Sequence, residues 1–462
     1  MAACGTENRR MKNSFLKITI TAISSILLSV IPVSHISADE ITQAASVIIR
    51  QEEGYAGITA PQGHRIGYVY IEWNVPPVSR TVTTLVPHET VTLSDENEYG
   101  FVNDLIVLEI PALSVNVTWD NKDKGVTISR ISVFSQGDLP PNIQQWEPPL
   151  EKADMLLIST HADDEHLYFG GAMPVYAGEK GKSVQVAYFV DHGILRTREL
   201  LAGLWEVGIR NYPLISDFPD QYVASYDAAE RFYGLDNALG FQVMLLRRFK
   251  PEVVLGHDLD GEYGHGAHML NARSLSMALE LASDESKYPE SAGLYGIWNV
   301  KKCYLHLYEN NEIIMDWTIP LEHFGGRSGW DMAKAGYAHH ISQHHFKFRV
   351  RIEGPNDCRR FGLFRSTVGP DITKDDFFEN IPVAVITIQP TTAPTLPVSP
   401  SQEPTVTSDS DASSDPDAGP GKNNVSKEMT VILIFAGAVA LSAIMTVRMR
   451  DRINKARRKR RK

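Results

Sequence analysis

The sequence predicts an α/β protein: a Rossmann-like, doubly wound, mostly parallel sheet, preceded by a β-sandwich-like domain and followed by a disordered stalk and one transmembrane helix. Three observations carry that expectation. After Asp154, unbroken apolar runs alternate with segments of helical length. Before it, short alternating strands are separated by Pro, Gly, Asn and Asp. Both ends of the 462-residue chain depart from the composition of the middle, where charge (22%) and hydrophobicity (43% over the whole) are ordinary for a globular fold.

Residues 1–38 read as a signal peptide. Met11 to Lys17 is basic, Ile18 to Val33 is largely apolar, and Ala38 offers a small residue for cleavage, with Met11 a better start than Met1. An uncleaved anchor is the rival reading. Residues 39–148 form the β-rich domain, a sandwich of roughly jelly-roll kind, with Gly67–Trp73, Leu105–Ile110 and Val126–Phe134 as strands. Tyr68, Tyr70 and Trp73 alternate there as core aromatics; exposed, they would make a sugar platform. Asp138 to Pro149 reads as a linker.

Residues 149–388 form the α/β domain. Met155–Ser159, Val184–Val190 and Glu252–Gly256 are strands buried on both faces, while Thr197–Val207, Ala229–Phe249 and residues 266–284 are helices. No G-x-G-x-x-G turn follows the first strand, which disfavours a dinucleotide.

Residues 389–428 are Pro, Ser, Thr and Asp with almost no large apolar side chains, so they cannot offset the entropy of ordering and form a disordered stalk. Residues 429–447 hold no charge and suffice for one helical span. The basic tail at 448–462 is retained in the cytoplasm, which places the folded part outside, at the cell membrane. The formal charge of −11 argues against a nucleic-acid partner. Cys4 leaves with the signal, and Cys303 and Cys358 either pair or stay free.

The chemistry sits at two strand ends. His161-Ala-Asp-Asp-Glu-His166 follows the first strand, and His257 to His268, with three acidic residues between, follows the strand ending at Gly256. Open α/β sheets build their sites beyond the carboxyl ends of strands. Either loop alone is accounted for by ordinary polar capping; two that offer imidazole and carboxylate together point to a metal. Catalytic zinc takes three N or O ligands and keeps a position for water. His265 and His268, three apart at a helix start, project from one side.

HADDE after a buried strand, Arg196-x-x-Glu199-x-x-Ala-Gly-x-x-x-Val-Gly208, Gly264-His-x-x-His268 and Ala338-His-His-Ile-Ser-Gln343 together resemble the PIG-L/LmbE family of zinc-dependent de-N-acetylases over residues 150–345. The resemblance implies Zn2+ held by His161, Asp164 and His268, with Asp163 as general base. It implies His265 as the imidazole that stabilises the oxyanion, assisted by Tyr263. The implied substrate is an N-acetylglucosamine-containing glycan, glycolipid or wall fragment. The rivals are a catalytically weakened sugar-binding module and a zinc amidase for another N-acyl group. The oligomeric state stays open.

Two positions depart from the family pattern. Ala162 stands where the family has Pro, and Gly266-Ala267 where it has a Pro or Ser followed by an acidic or amide residue that orients the oxyanion histidine. Asp258, Asp260 or Glu262 is left to take that part. Glu165 reads as a helix N-terminal residue and partner of the site, Asp191-His192 as substrate contacts or a strand-end turn, and His339, His344 and His345 as solvated.

Overall fold

Side-chain alternation sorts the first eight strands into two antiparallel sheets. These are β1 (Ser46–Arg50), β2 (Tyr55–Thr59), β3 (Ile66–Val75), β4 (Ser79–Val86), β5 (Glu89–Glu96), β6 (Asn103–Ala112), β7 (Ser114–Trp119) and β8 (Thr127–Phe134). One sheet has the order β1-β2-β7-β4-β5, the other β6-β3-β8. Their inward residues share one core in which Trp73 and Trp119 meet edge-on at 5.2 Å, surrounded by Ile58, Val69, Ile71, Val117 and Val133. Tyr70 and Trp73 are buried, so these aromatics serve packing rather than a surface platform; Tyr68 is part-buried and donates its hydroxyl to Gly137 O.

This computed structural model describes residues 36–86, 89–96, 99–120 and 125–382. The expected signal lies almost wholly outside the described residues, and the stalk, span and basic tail lie outside them entirely. No helix among the described residues is long and apolar enough to cross a membrane.

The stretch expected as a linker is instead packed. Ile143 and Trp146 are buried, and Gln144 Oε1 accepts from Asn103 Nδ2 at 2.6 Å and from Trp146 Nε1 at 2.8 Å. Trp146 meets Trp205 and Tyr212 edge-on, and Arg198 Nη2 donates to Trp73 O at 3.0 Å. Buried indoles that find both ring partners and an acceptor act as a joint, not a tether.

The second sheet system follows as β9 (Met155–Ser159), α1 (Asp164–Leu167), β10 (Val184–Tyr188), α2 (Gly193–Glu206), β11 (Leu214–Ile215), α3 (Tyr226–Tyr233), α4 (Leu235–Phe249), β12 (Val253–Gly256), α5 (Gly266–Leu281), α6 (Pro289–Tyr295), β13 (Lys302–His306), β14 (Ile313–Ile314), α7 (Gly329–Tyr337) and β15 (Arg360–Ser366). The sheet order is β11-β10-β9-β12-β13-β15-β14, parallel through β13 and antiparallel at β15 and β14. Alternation along β9 covers both faces. Met155 and Leu157 pack with Leu200, Leu204 and Met332, while Leu156 and Ile158 pack with Val243, Leu246, Leu275 and Leu279.

The chain leaves β9 toward β10 on one side and returns to β12 on the other, so the sheet order reverses at β9 and opens a crevice at its carboxyl end. Both motif loops end there. The helix expected over Ala229–Phe249 is two helices broken at Gly234, whose φ of +82° suits only glycine at low cost. Cys303 and Cys358 are buried free thiols, each pushed up to about 12 by burial.

Candidate active site

The turn after β9 cannot be a plain loop, because it is buried and its backbone donors need partners. Four successive N–H groups find them in side chains. Thr160 N donates to His257 Nε2 at 2.9 Å, His161 N to Asp164 Oδ2 at 2.8 Å, Ala162 N to His192 Nε2 at 2.7 Å and Asp163 N to Glu165 Oε2 at 2.8 Å. Arg196 Nη2 closes the turn on Ala162 O. Asp163 is held at φ +115°, a conformation that costs an L-residue energy unless its surroundings impose it. Proline at residue 162 would have no N–H to give His192; the alanine exchanges a rigid ring for that hydrogen bond.

Three ligand-type atoms converge below this turn. His161 Nδ1 lies 3.1 Å from Asp164 Oδ2 and 3.0 Å from His268 Nε2, and His268 Nε2 lies 3.1 Å from Asp164 Oδ2. A tetrahedral site with bonds of about 2.0–2.1 Å separates its ligand atoms by roughly 3.3 Å, so this triangle has the right edge. All three side chains are buried. The tautomer of His268 is set from behind: Nδ1 lies 2.6 Å from Glu262 Oε2, a carboxylate that only accepts, which leaves the Nε2 lone pair facing the triangle.

Two overlapping triads are also near, His161-His265-His268 and Asp164-His257-His268. His257 is already spent, since Nε2 accepts from Thr160 and Nδ1 donates to Glu262 Oε1 at 2.6 Å. Glu262 also lies 3.2 Å from His306 Nδ1 and is held well below the usual range: burial opposes this, but His257 and His268 prevail.

The adjacent aspartates are driven apart. Burial and the charge of Asp164 raise Asp163 well above the ordinary value, with Arg196 Nη2 at 3.4 Å pulling back. Asp164 is held well below it, because His268 and His161 outweigh burial. Asp164 and Glu262, working against burial, push His268 up to about 10, so a cation taking the Nε2 lone pair would displace a proton there. Neighbouring carboxylates with opposed shifts are the mark of divided roles.

His265 is different again. Val223 N donates to its Nε2 at 3.4 Å, so the ring proton sits on Nδ1, which is buried without a hydrogen-bond partner among the described residues. Burial, His161 and His268 lower it to about 3, so the ring is neutral. Its plane is nearly parallel to Tyr222 (5.1 Å) and Tyr263 (5.6 Å). The expected acidic partner is not there. Asp258 caps Asp260 N, Asp260 meets Arg273, and Glu262 serves His257 and His268.

Sequence reasoning left out Asp220 and the contacts of Arg196. Arg196 Nη1 donates to Asp220 Oδ2 at 2.7 Å, and Asp220 Oδ1 lies 3.8 Å from His161 Nε2. Only the motif position of Arg196 signalled it. Asp191 forms a strand-end turn, accepting from Gly193 N, while His192 supports the loop through Ala162. Glu199 takes the N–H and hydroxyl of Ser342, which pins the Ala338–Gln343 segment to α2. His344 and His345 are exposed and His339 is half-exposed, as expected for solvated residues.

Fold and site define an open α/β protein with a His/carboxylate cluster able to hold a metal at the switch point of its parallel strands. No family model matches the chain. It is similar to the 1D-myo-inositol 2-acetamido-2-deoxy-alpha-D-glucopyranoside deacetylase of Rhodococcus opacus (strain B4), 30% identical over 238 residues, covering 45% of this chain and 79% of that protein. It is similarly related to the protein of that name from Streptomyces avermitilis, 30% identical over 179 residues, 32% of this chain and 60% of the relative. The chain belongs to the PIG-L/LmbE family of deacetylases. It spans about 60% of the length of several of these curated relatives. Among solved structures it is similar to N,N'-diacetylchitobiose deacetylase from Pyrococcus horikoshii, at 15% identity and a TM-score of 0.32 over 42% of this chain and 72% of that one.

Proposed function

We propose that the protein is a zinc-dependent N-deacetylase that hydrolyses the acetamide of an N-acetylglucosamine-containing sugar. One observation carries this reading: His161, Asp164 and His268 present three ligand atoms 3.0–3.1 Å apart, with Glu262 fixing the tautomer of His268. Two imidazole nitrogens and one carboxylate oxygen suit zinc. The sugar class is supported by the names of the relatives, which act on a 2-acetamido-2-deoxyglucopyranoside.

Bound zinc would polarise the acetamide carbonyl and make water a better nucleophile. Asp163, outside the triangle, takes the proton of the attacking water as oxygen bonds to the carbonyl carbon. It then returns a proton to the nitrogen as the C–N bond breaks, giving acetate and the free amino sugar. Its raised pKa suits both halves of that task. Arg196 orients it, and Nδ1–H of neutral His265 donates to the developing oxyanion, with Tyr263 packed against that ring. We further propose that the α/β part (residues 149–388) works outside the cell behind the β-rich part (39–148), anchored by residues 429–447; the uncharged span and the basic tail support this.

The test is acetate release by the purified, zinc-loaded protein from a panel of N-acetylglucosaminides, against the same protein after chelation. Activity that needs zinc is expected. Equal activity after complete zinc removal, or none on any N-acetylated sugar, sinks the reading.

A further inference from the structure

Behind the catalytic turn lies a second cluster that the proposed reaction does not use. Glu165, His166 and His340 are all fully buried. Glu165 Oε1 lies 3.0 Å from His340 Nε2 and 3.5 Å from His166 Nε2, in geometry that makes neither contact a hydrogen bond. Both ring nitrogens of His166, both of His340 and Oε1 of Glu165 are without a hydrogen-bond partner among the described residues. Buried polar groups are almost always satisfied, and five unsatisfied atoms in one place, all on metal-ligating side chains, call for a ligand with a positive charge.

The space is shaped for these rings. A Cβ at Gly203 of α2 would meet His166 Nε2 at 2.7 Å, and a Cβ at Gly336 of α7 would meet His166 Cε1 at 2.2 Å. Glycine on each helix is what lets an imidazole stand between them.

We propose that Glu165, His166 and His340 form a second, structural metal site for a divalent cation of the zinc class. The separations of 3.0 and 3.5 Å bracket the roughly 3.3 Å between ligands of a tetrahedral site, and two imidazoles with one carboxylate match zinc's preferences. The other oxygen of Glu165 accepts the N–H of Asp163 at 2.8 Å. A cation here therefore fixes the carboxylate that holds Asp163 in its strained backbone, while complete burial keeps it from substrate.

The test is zinc content per folded chain by elemental analysis, after loading and exhaustive dialysis, of the wild type, His166→Leu, His340→Leu and His161→Ala. Two equivalents in the wild type and one in each variant are expected. Wild-type content in His166→Leu and His340→Leu overturns the proposal, as does a single equivalent that His161→Ala removes. A single equivalent lost with His166→Leu but kept in His161→Ala supports this site while removing the catalytic one proposed above. If the leucine variants do not fold, anomalous scattering at the zinc edge from wild-type crystals decides. A peak among Glu165, His166 and His340 is expected, and its absence in zinc-loaded crystals overturns the proposal.

Discussion

Asp163 and Asp164 differ by one position and face different partners, and the consequences are separable at the residue scale. Asp163→Asn keeps the size of the side chain but cannot take a proton, so turnover is expected to fall by roughly two to four orders of magnitude with zinc content unchanged. Measuring zinc and acetate on one preparation checks this; loss of both would make Asp163 a ligand. His166 gives a pH prediction for metal-free protein. Its pKa is lowered from 6.5 to about 3 on folding, so the unfolded chain binds the extra proton between those values. The stability that neutral His166 permits is full above about 6.5 and is lost as pH falls toward about 3, at up to about 1.4 kcal/mol per pH unit. Chemical denaturation of chelated wild type and His166→Leu from about pH 4 to about pH 7 should show a shallower slope for the variant. Equal slopes would remove His166 as the source.

At the scale of elements, the site depends on how α5 begins. His265 stands at the N-cap position of this helix, without a side-chain capping bond, and His268 is on its first turn, so the start of α5 places both imidazoles. A Cβ at Gly266 would lie 2.1 Å from Ser225 O, a backbone atom that cannot swing aside. Gly266→Ala should therefore destabilise the fold by about 1–3 kcal/mol, the usual cost of overpacking, and weaken zinc binding by moving His268. Denaturation and zinc titration of the variant read the two effects; wild-type values in both would mean that the segment around Ser225 yields freely. The same close approach explains why a residue other than glycine is not accommodated at this position here.

For the molecule as a whole, the proposed topology makes a prediction that the folded core does not. Protease added to intact cells should release a fragment ending within residues 389–428, because a Pro, Ser, Thr and Asp stretch without apolar anchors is cut before a packed domain. Protection of the α/β part until lysis would reverse the orientation. Cleavage near Asp138 to Pro149 is not expected, since Trp146 and Gln144 tie that stretch into the seam between the β-rich sheets and α2.

Much of this was legible in the residues themselves. Apolar runs placed β9, β10 and β12 to within two residues, and the two strand-end motifs brought His161, Asp164 and His268 into one site because both loops had to emerge at the same sheet edge. Local pattern also put Trp73 and Tyr70 in a core. What pattern could not supply was the choice among equivalent partners. Glu262 had three candidate histidines and Asp258 and Asp260 as competitors; only the packed loop decided that it serves His257 and His268 and leaves His265 without an acid. His192, Arg196, Asp220 and His340 reach the turn from separate elements, so their roles arise when α2, α7 and the loop after β11 close on it. Periodicity records which face of an element is buried; which buried polar atoms meet is settled by tertiary packing, where a hydrogen bond or ligand gap depends on a few tenths of an ångström.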